Sequence, residues 1–95
     1  MIDLTEWLQT ATKPSLLSFV ARAIHSLTIR SRSFYSEPDG LGGMVECNEA
    51  IHHLVGHLIG LAKPAREVDY GRIENVASDI RLLSHEEIDR LKNVC

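Results

Sequence analysis

The chain has 95 residues, of which 44% are apolar and 24% charged, and its net charge is −3 with neutral histidines. This length predicts one domain spanning 1–95, and the composition is that of a globular chain, not a disordered one. The acidic balance makes nucleic acid an unfavoured partner.

The cysteines and the N-terminal stretch bear on the cellular compartment. Cys47 and Cys95 do not form the pattern of a disulfide framework. Asp3 and Glu6 lie where a signal peptide would carry basic residues. No run approaches the ~20 apolar residues of a membrane span. We therefore expect a cytoplasmic protein without a membrane anchor.

Two helices are predicted before residue 36. The first covers about 2–10, with Asp3 or Thr5 as its cap. The second covers about 15–34, with Thr12 or Lys13 at the cap and Pro14 in the first turn. Its apolar stripe, interrupted by a serine, is Leu16, Val20, Ala23, Ile24, Leu27, Ser31 and Phe34. Ile29 falls on the opposite face, either as an isolated exposed residue or as a contact with a partner.

A turn at 36–40 leads to the central predicted helix, 41–62, around which the fold is organised. At 100° per residue its apolar side chains cluster within about 60° of Ile51. These are Met44, Cys47, Ile51, Leu54, Val55, Leu58 and Ala62. We expect a core centred on Ile51, Leu54, Val55 and Leu58.

The last third contains one long predicted helix or two shorter ones. After a charged connection at 63–69, a stripe runs through 70–83 and consists of Ile73, Val76, Ala77, Ile80 and Leu83. Ser84 and Glu87 have the spacing of a capping box, which would start a final helix with Ile88 and Leu91 inward. The predicted fold class is an all-α bundle of four to five helices.

Two glycines on the outer face of the central helix predict a close approach. Gly56 and Gly60 each cost roughly 1 kcal/mol relative to alanine in a helix, and their spacing is that of small residues at helix interfaces. The approaching element is either a second copy or another helix of the same chain. The predicted homodimer interface contains Gly56, Gly60, His53 and Ile29.

A possible metal site lies on the same face. Glu49, His53 and His57 follow one another at intervals of four residues, and carboxylate with imidazole suits zinc or iron. The alternative is a polar face whose histidines hydrogen-bond to nearby acids. The metalloprotease order H-E-x-x-H is absent. We expect no cofactor to be required, with zinc or iron as the alternative.

No complete catalytic set is apparent in the sequence. Cys47 lies on the apolar stripe, and the helix places no histidine one turn away from it. A base from elsewhere, His25 or His85, has no support in the spacing. Nucleotide-binding and hydrolase motifs do not occur. Whether the protein is an enzyme stays open, and the sequence favours a non-enzymatic role.

The leading functional hypothesis is a small protein-interaction module that binds a protein partner and forms a homodimer. A second hypothesis is a metal-binding protein or metal-dependent enzyme using Glu49, His53 and His57. A third is a small acidic regulator, of the antitoxin or inhibitor type, that masks a basic partner. It rests on the net charge of −5 carried by residues 37–95.

Overall fold

A computed structural model describes residues 4–63 and 70–94. Within these ranges the chain forms α1 (Leu4–Thr10), α2 (Lys13–Ser33), a 3-10 turn (Phe34–Ser36), α3 (Gly40–Ala62), α4 (Tyr70–Asp79) and α5 (His85–Val94). Neither range contains a strand. The predicted all-α bundle around one central helix is confirmed, and its last part consists of two helices separated by a turn.

The long helices α2 and α3 form the frame of the bundle. At the start of α2, Thr12 accepts a hydrogen bond from the backbone N–H of Ser15, and Pro14 occupies the first turn, as predicted. Lys13 at the start of α2 donates to the carbonyl of Lys63 just after α3. At the other end of α2, the hydroxyl of Ser31 donates a hydrogen bond to Oδ1 of Asn48 in the first half of α3. The two helices are therefore antiparallel, and their contact is the most extensive between helices.

The connection between α2 and α3 depends on glycines that allow close packing. The ring of Phe34 lies against Gly43, and a Cβ there would come within 2.5–2.7 Å of ring carbons. A Cβ at Gly40 would overlap the backbone of Phe34. Since α3 begins at Gly40, both glycines belong to its first turns. Gly43 leaves room for the ring of Phe34, and Gly40 leaves room for its backbone.

The buried core contains side chains from α1, α2, α3, α4 and the turn after α4, and partly buried apolar residues that include Ile88 and Leu91 of α5 pack against it. Trp7 of α1 stacks at a tilt of 49° on Phe19 of α2, with ring centroids 5.0 Å apart. Phe19 is fully buried, although the predicted stripe of the second helix omitted it. The buried apolar residues are Leu8, Leu16, Phe19, Val20, Ala23, Leu27, Cys47, Ala50, Leu54, Leu61, Ile73, Val76, Ile80 and Leu83.

The buried arc of α3 is rotated from the predicted one. Leu54 is fully buried as expected, but Val55 is 40% exposed, so the prediction that Val55 lies in the core is wrong. Ala50 and Leu61 are buried instead. At 100° per residue they lie about 100° and 80° from Ile51. The reason is that α3 packs against both α2 and α4, so its neighbours, not the centre of its apolar stripe, determine which arc is covered.

The C-terminal half confirms the stripe predicted for the fourth helix. Ile73, Val76, Ile80 and Leu83 are buried, although α4 ends at Asp79 and a turn carries the last two of them. Helix α4 packs on α1 and α3, and α5 packs on α2.

The capping box predicted before the last helix is present. Ser84 accepts from the backbone N–H of Glu87 at 3.2 Å, and its hydroxyl donates to the Glu87 carboxylate at 3.3 Å. At the other end of the chain, the predicted cap at Asp3 lies outside the described residues, as does most of the connection 63–69. Thr5 lies inside α1. Among the described helices, none has the length and apolarity to cross a membrane.

The rotation of α3 can be tested with two neighbouring truncations. Leu54→Ala should lower the free energy of unfolding by about 2–5 kcal/mol, because it leaves a cavity in the core. Val55→Ala should change it by no more than about 1 kcal/mol, because much of that side chain is already in water. Urea unfolding at one dilute protein concentration measures both. Comparable losses for the two variants would contradict the observed orientation.

Candidate functional site

An open groove of about 640 Å³ runs between α3 and α4. Its walls are polar and carry three histidines and one acid. The lining residues are His52, His53, Gly56 and His57 from α3, with Arg72, Asn75, Ser78 and Asp79 from α4. The α4 set recurs at helical spacing, so one face of this short helix supplies it.

Asp79 links the two helices. Its Oδ1 lies 3.3 Å from Nδ1 of His53, and its Oδ2 lies 3.2 Å from Nε2 of His57. The side chains of Asp79 and His57 are 14% and 15% exposed, whereas that of His53 is 59% exposed. Both carboxylate oxygens of Asp79 therefore contact histidines of α3, and His57 is the more buried of the two histidines.

Arg72 fixes the tautomer of His57. Nη1 of Arg72 lies 3.4 Å from Nδ1 of His57. A guanidinium can only donate, so Nδ1 must accept, and the ring proton lies on Nε2, where it is donated to Asp79. The hydrogen-bond network assigns this arrangement. Both ring nitrogens of His57 thus have partners within the same chain.

The two outer-face glycines have different surroundings. A Cβ on Gly60 would overlap the guanidinium of Arg72, which lies directly on the bare backbone of α3. A Cβ on Gly56 would meet no described atom within 4 Å and would face the open groove. The close approach at Gly60 is therefore made by a side chain of the same chain.

The predicted metal ligands are only partly brought together. His53 and His57 meet at Asp79, while Glu49 is exposed and does not line the groove. Across the described ranges, no three His, Cys, Asp or Glu side chains are arranged to hold a metal ion. Sequence reasoning missed Asp79 and Arg72 because they lie on another helix. The helical spacing of Arg72 and Asp79 on the polar face of α4 was the sequence feature that could have indicated them.

Cys47 is unsuited to nucleophilic chemistry. It is 1% exposed, and burial raises the pKa of its thiol. The Arg30 charge opposes that pKa shift and Glu46 adds to it. A raised pKa leaves less thiolate at any given pH, and the thiolate is the reactive form. The two histidines considered as bases, His25 and His85, are both exposed.

A second surface feature lies on α3, beside the groove, and shares His52 with it. Four large apolar side chains are exposed there: Leu41 by 74%, Val45 by 48%, Val55 by 40% and Ile59 by 59%. Exposed polar residues continue the same spacing between them. We call this set the α3 seam, and it consists of Leu41, Val45, Asn48, His52, Val55 and Ile59. None of these was in the predicted interface, and Ile29, the large apolar residue that was, is 56% exposed on α2, beside α5.

Comparison of the chain with protein-family models, characterised proteins and solved structures finds no significant match.

A pair of alanine substitutions separates the roles of the two glycines. Gly56→Ala should stabilise the fold by up to about 1 kcal/mol through helix propensity. Gly60→Ala gains the same propensity but must displace Arg72 from the backbone and from His57, so we expect a smaller gain or a loss. Thermal and urea unfolding measure the difference. Equal stabilisation by both would show that the position of Arg72 contributes nothing to stability.

The state of Cys47 can be tested by thiol labelling of a Cys95→Ser variant. We expect slow modification of Cys47 under native conditions and fast modification after unfolding in urea, because burial blocks access and disfavours the thiolate. Native labelling as fast as labelling in urea would contradict the buried assignment.

Proposed function

We propose that this protein is a non-enzymatic interaction module that forms a homodimer through the α3 seam. The observation that supports it is the exposure of four large apolar side chains along one side of one helix. Scattered exposed apolar residues are ordinary, but a contiguous set marks a surface that a partner covers. The other sides of α3 pack on α2 and α4.

The spacing of the seam suits another helix. Its members follow one another at intervals of four, three, four, three and four residues. This is the 3.5-residue repeat by which two helices pack along their length. From Leu41 to Ile59 the seam extends about 27 Å at 1.5 Å per residue. A partner of matching chemistry is therefore a helix with its own apolar stripe.

The order of residues in the seam favours a second copy of this chain. Read in either direction, the seam has two apolar, two polar and two apolar positions. An antiparallel copy related by a two-fold axis at the level of Ala50 therefore matches it. Leu41 then faces Ile59 of the second copy, and Val45 faces its Val55. Such self-complementarity is what a closed two-fold interface requires.

The polar middle of the seam supports the same register. Ser31 donates to Oδ1 of Asn48 at 3.1 Å, which orients the amide. The amide nitrogen of Asn48 is left to donate to the neutral ring of His52 in the second copy. Two-fold symmetry repeats the bond. A buried polar pair of this kind specifies register in paired helices.

This proposal moves the interface from the glycine face to the neighbouring side of α3. Gly60 is covered by Arg72 of the same chain, so its bare backbone is not open to a second copy. His53 is exposed, but one of its ring nitrogens already contacts Asp79. Ile29 lies apart from the seam, on α2. It serves as a matched control for the substitutions below.

The metal hypothesis has one observation in its favour. Asp79, from a second helix, contacts both His53 and His57, and the sequence hypothesis needed such an additional ligand. Metal content of protein purified without a histidine tag decides it. The acidic-regulator hypothesis stays a prediction.

Substitution of an exposed seam residue should dissociate the dimer without unfolding the chain. Ile59→Glu places a charge in the apolar contact and should give a monomer. Ile29→Glu makes the same change at a side chain of similar exposure and should leave the dimer intact. Sedimentation equilibrium over a range of concentrations measures both, with circular dichroism to verify folding. A wild-type chain that is monomeric throughout would contradict the proposal.

A charge pair tests the antiparallel register. Val45→Lys and Val55→Glu should each weaken the dimer, whereas the double variant should restore it, because each lysine then faces a glutamate of the second copy. A parallel arrangement would place like charges opposite each other. Failure of the double variant to recover the dimer mass, with Ile59→Glu still monomeric, would overturn the register and retain the seam.

A further inference from the structure

We propose that the groove between α3 and α4 binds a phosphate group, as a site separate from the dimer seam. The starting observation is the charge of Arg72. Its side chain is half-buried in the wall of the groove and contacts Nδ1 of His57. Among the described residues, the ion pairs do not include Arg72. A partly desolvated guanidinium that is paired with no described carboxylate favours an anionic ligand.

The acid in the groove does not neutralise Arg72. Asp79 lines the groove, but its two oxygens face His53 and His57. The hydrogen bonds of Asp79 are therefore directed to the histidines of α3 and not to the guanidinium of Arg72.

The remaining lining groups are mostly hydrogen-bond donors. A guanidinium has five N–H donors, and Arg72 directs one to His57. His53 donates to Asp79 through Nδ1, so Nε2 of the neutral ring is an acceptor and adds no donor. Asn75 and Ser78 on α4 add an amide and a hydroxyl, both exposed to the groove. Arg72, Asn75 and Ser78 therefore present donors to the same open volume from one face of α4.

This arrangement selects a phosphate group over a carboxylate. The fork of an arginine binds two oxygens of either group. A phosphate has a third terminal oxygen, which can accept from Asn75 and Ser78. At about 640 Å³ the groove exceeds the size of an isolated ion. The ligand class is therefore a phosphomonoester, carried by a small molecule or by a phosphorylated side chain.

Gly60 determines where the side chain of Arg72 can lie in this site. Because Gly60 lacks a Cβ, the guanidinium of Arg72 can lie on the α3 backbone at the wall of the groove. The glycine costs roughly 1 kcal/mol of helix propensity relative to alanine. Holding a charged side chain at the groove wall gives that glycine a role in binding.

The test is a titration of ¹⁵N-labelled protein with sodium phosphate at constant pH and ionic strength, against sodium chloride. We expect saturable amide shifts in 52–57 and 72–79, with a dissociation constant on the order of millimolar. Arg72→Gln should weaken binding at least about tenfold, the equivalent of 1.4 kcal/mol. Arg22→Gln, the same charge change on the exposed face of α2, should leave it unchanged.

A second variant retains every charge. Gly60→Ala should weaken phosphate binding by displacing the guanidinium, whereas Gly42→Ala, whose Cβ meets no described atom, should not. Circular dichroism verifies that each variant is folded. Absence of saturable shifts in the wild-type protein, or equal affinity in Arg72→Gln, would overturn the proposal.

The final arms identify the ligand class. Glycerol phosphate and a phosphoserine peptide should both bind more tightly than acetate or the unphosphorylated peptide, and the tighter of the two gives the source of the group. Acetate binding as tight as phosphate binding would overturn the phosphate assignment. Since the titration can be repeated on monomeric Ile59→Glu, its outcome is independent of the dimer.

Discussion

The structure depends on how the circumference of α3 is divided among three environments. One arc, which includes Leu54, is buried in the core where α2 covers it. A second arc, which includes His57 and Gly60, faces α4 through polar contacts. The third arc, the seam with Val55 and Ile59, is exposed. Because apolar residues occupy more of the helix than the core covers, the excess forms an exposed apolar surface.

Periodicity predicted the helices and most of the buried residues on α2 and α4, because each of these presents one stripe to one core. It failed on α3, where apolar residues span a wider arc. The centre of that apolar arc is Ile51, which lies midway between the buried side of the helix and its exposed side. Only the positions of the neighbouring helices decide that Ala50 is covered and Val55 is exposed, and those positions depend on contacts that are distant in sequence.

The sequence could predict only the part of the candidate site that α3 supplies. The spacing of His53 and His57 predicts that they share a partner, but a metal ion and a carboxylate satisfy that spacing equally well. Asp79 lies 26 residues after His53, and Arg72 lies 15 residues after His57. The pairing of α3 with α4 brings them together, and local sequence carries no information about it. The same limit applies to Gly60, whose close neighbour turned out to be a side chain.

The seam and the groove share His52, which is a member of the seam and also lines the groove. In the proposed dimer this ring accepts a hydrogen bond from Asn48 of the second copy, so its orientation is fixed from one side. A ligand in the groove would act on the same ring from the other side. Thermodynamic linkage then requires that any effect of the ligand on dimerisation equal the effect of dimerisation on ligand affinity. The two proposed surfaces of α3 thus share one side chain, and substitution of His52 should remove any such linkage while leaving Arg72 and the apolar ends of the seam in place.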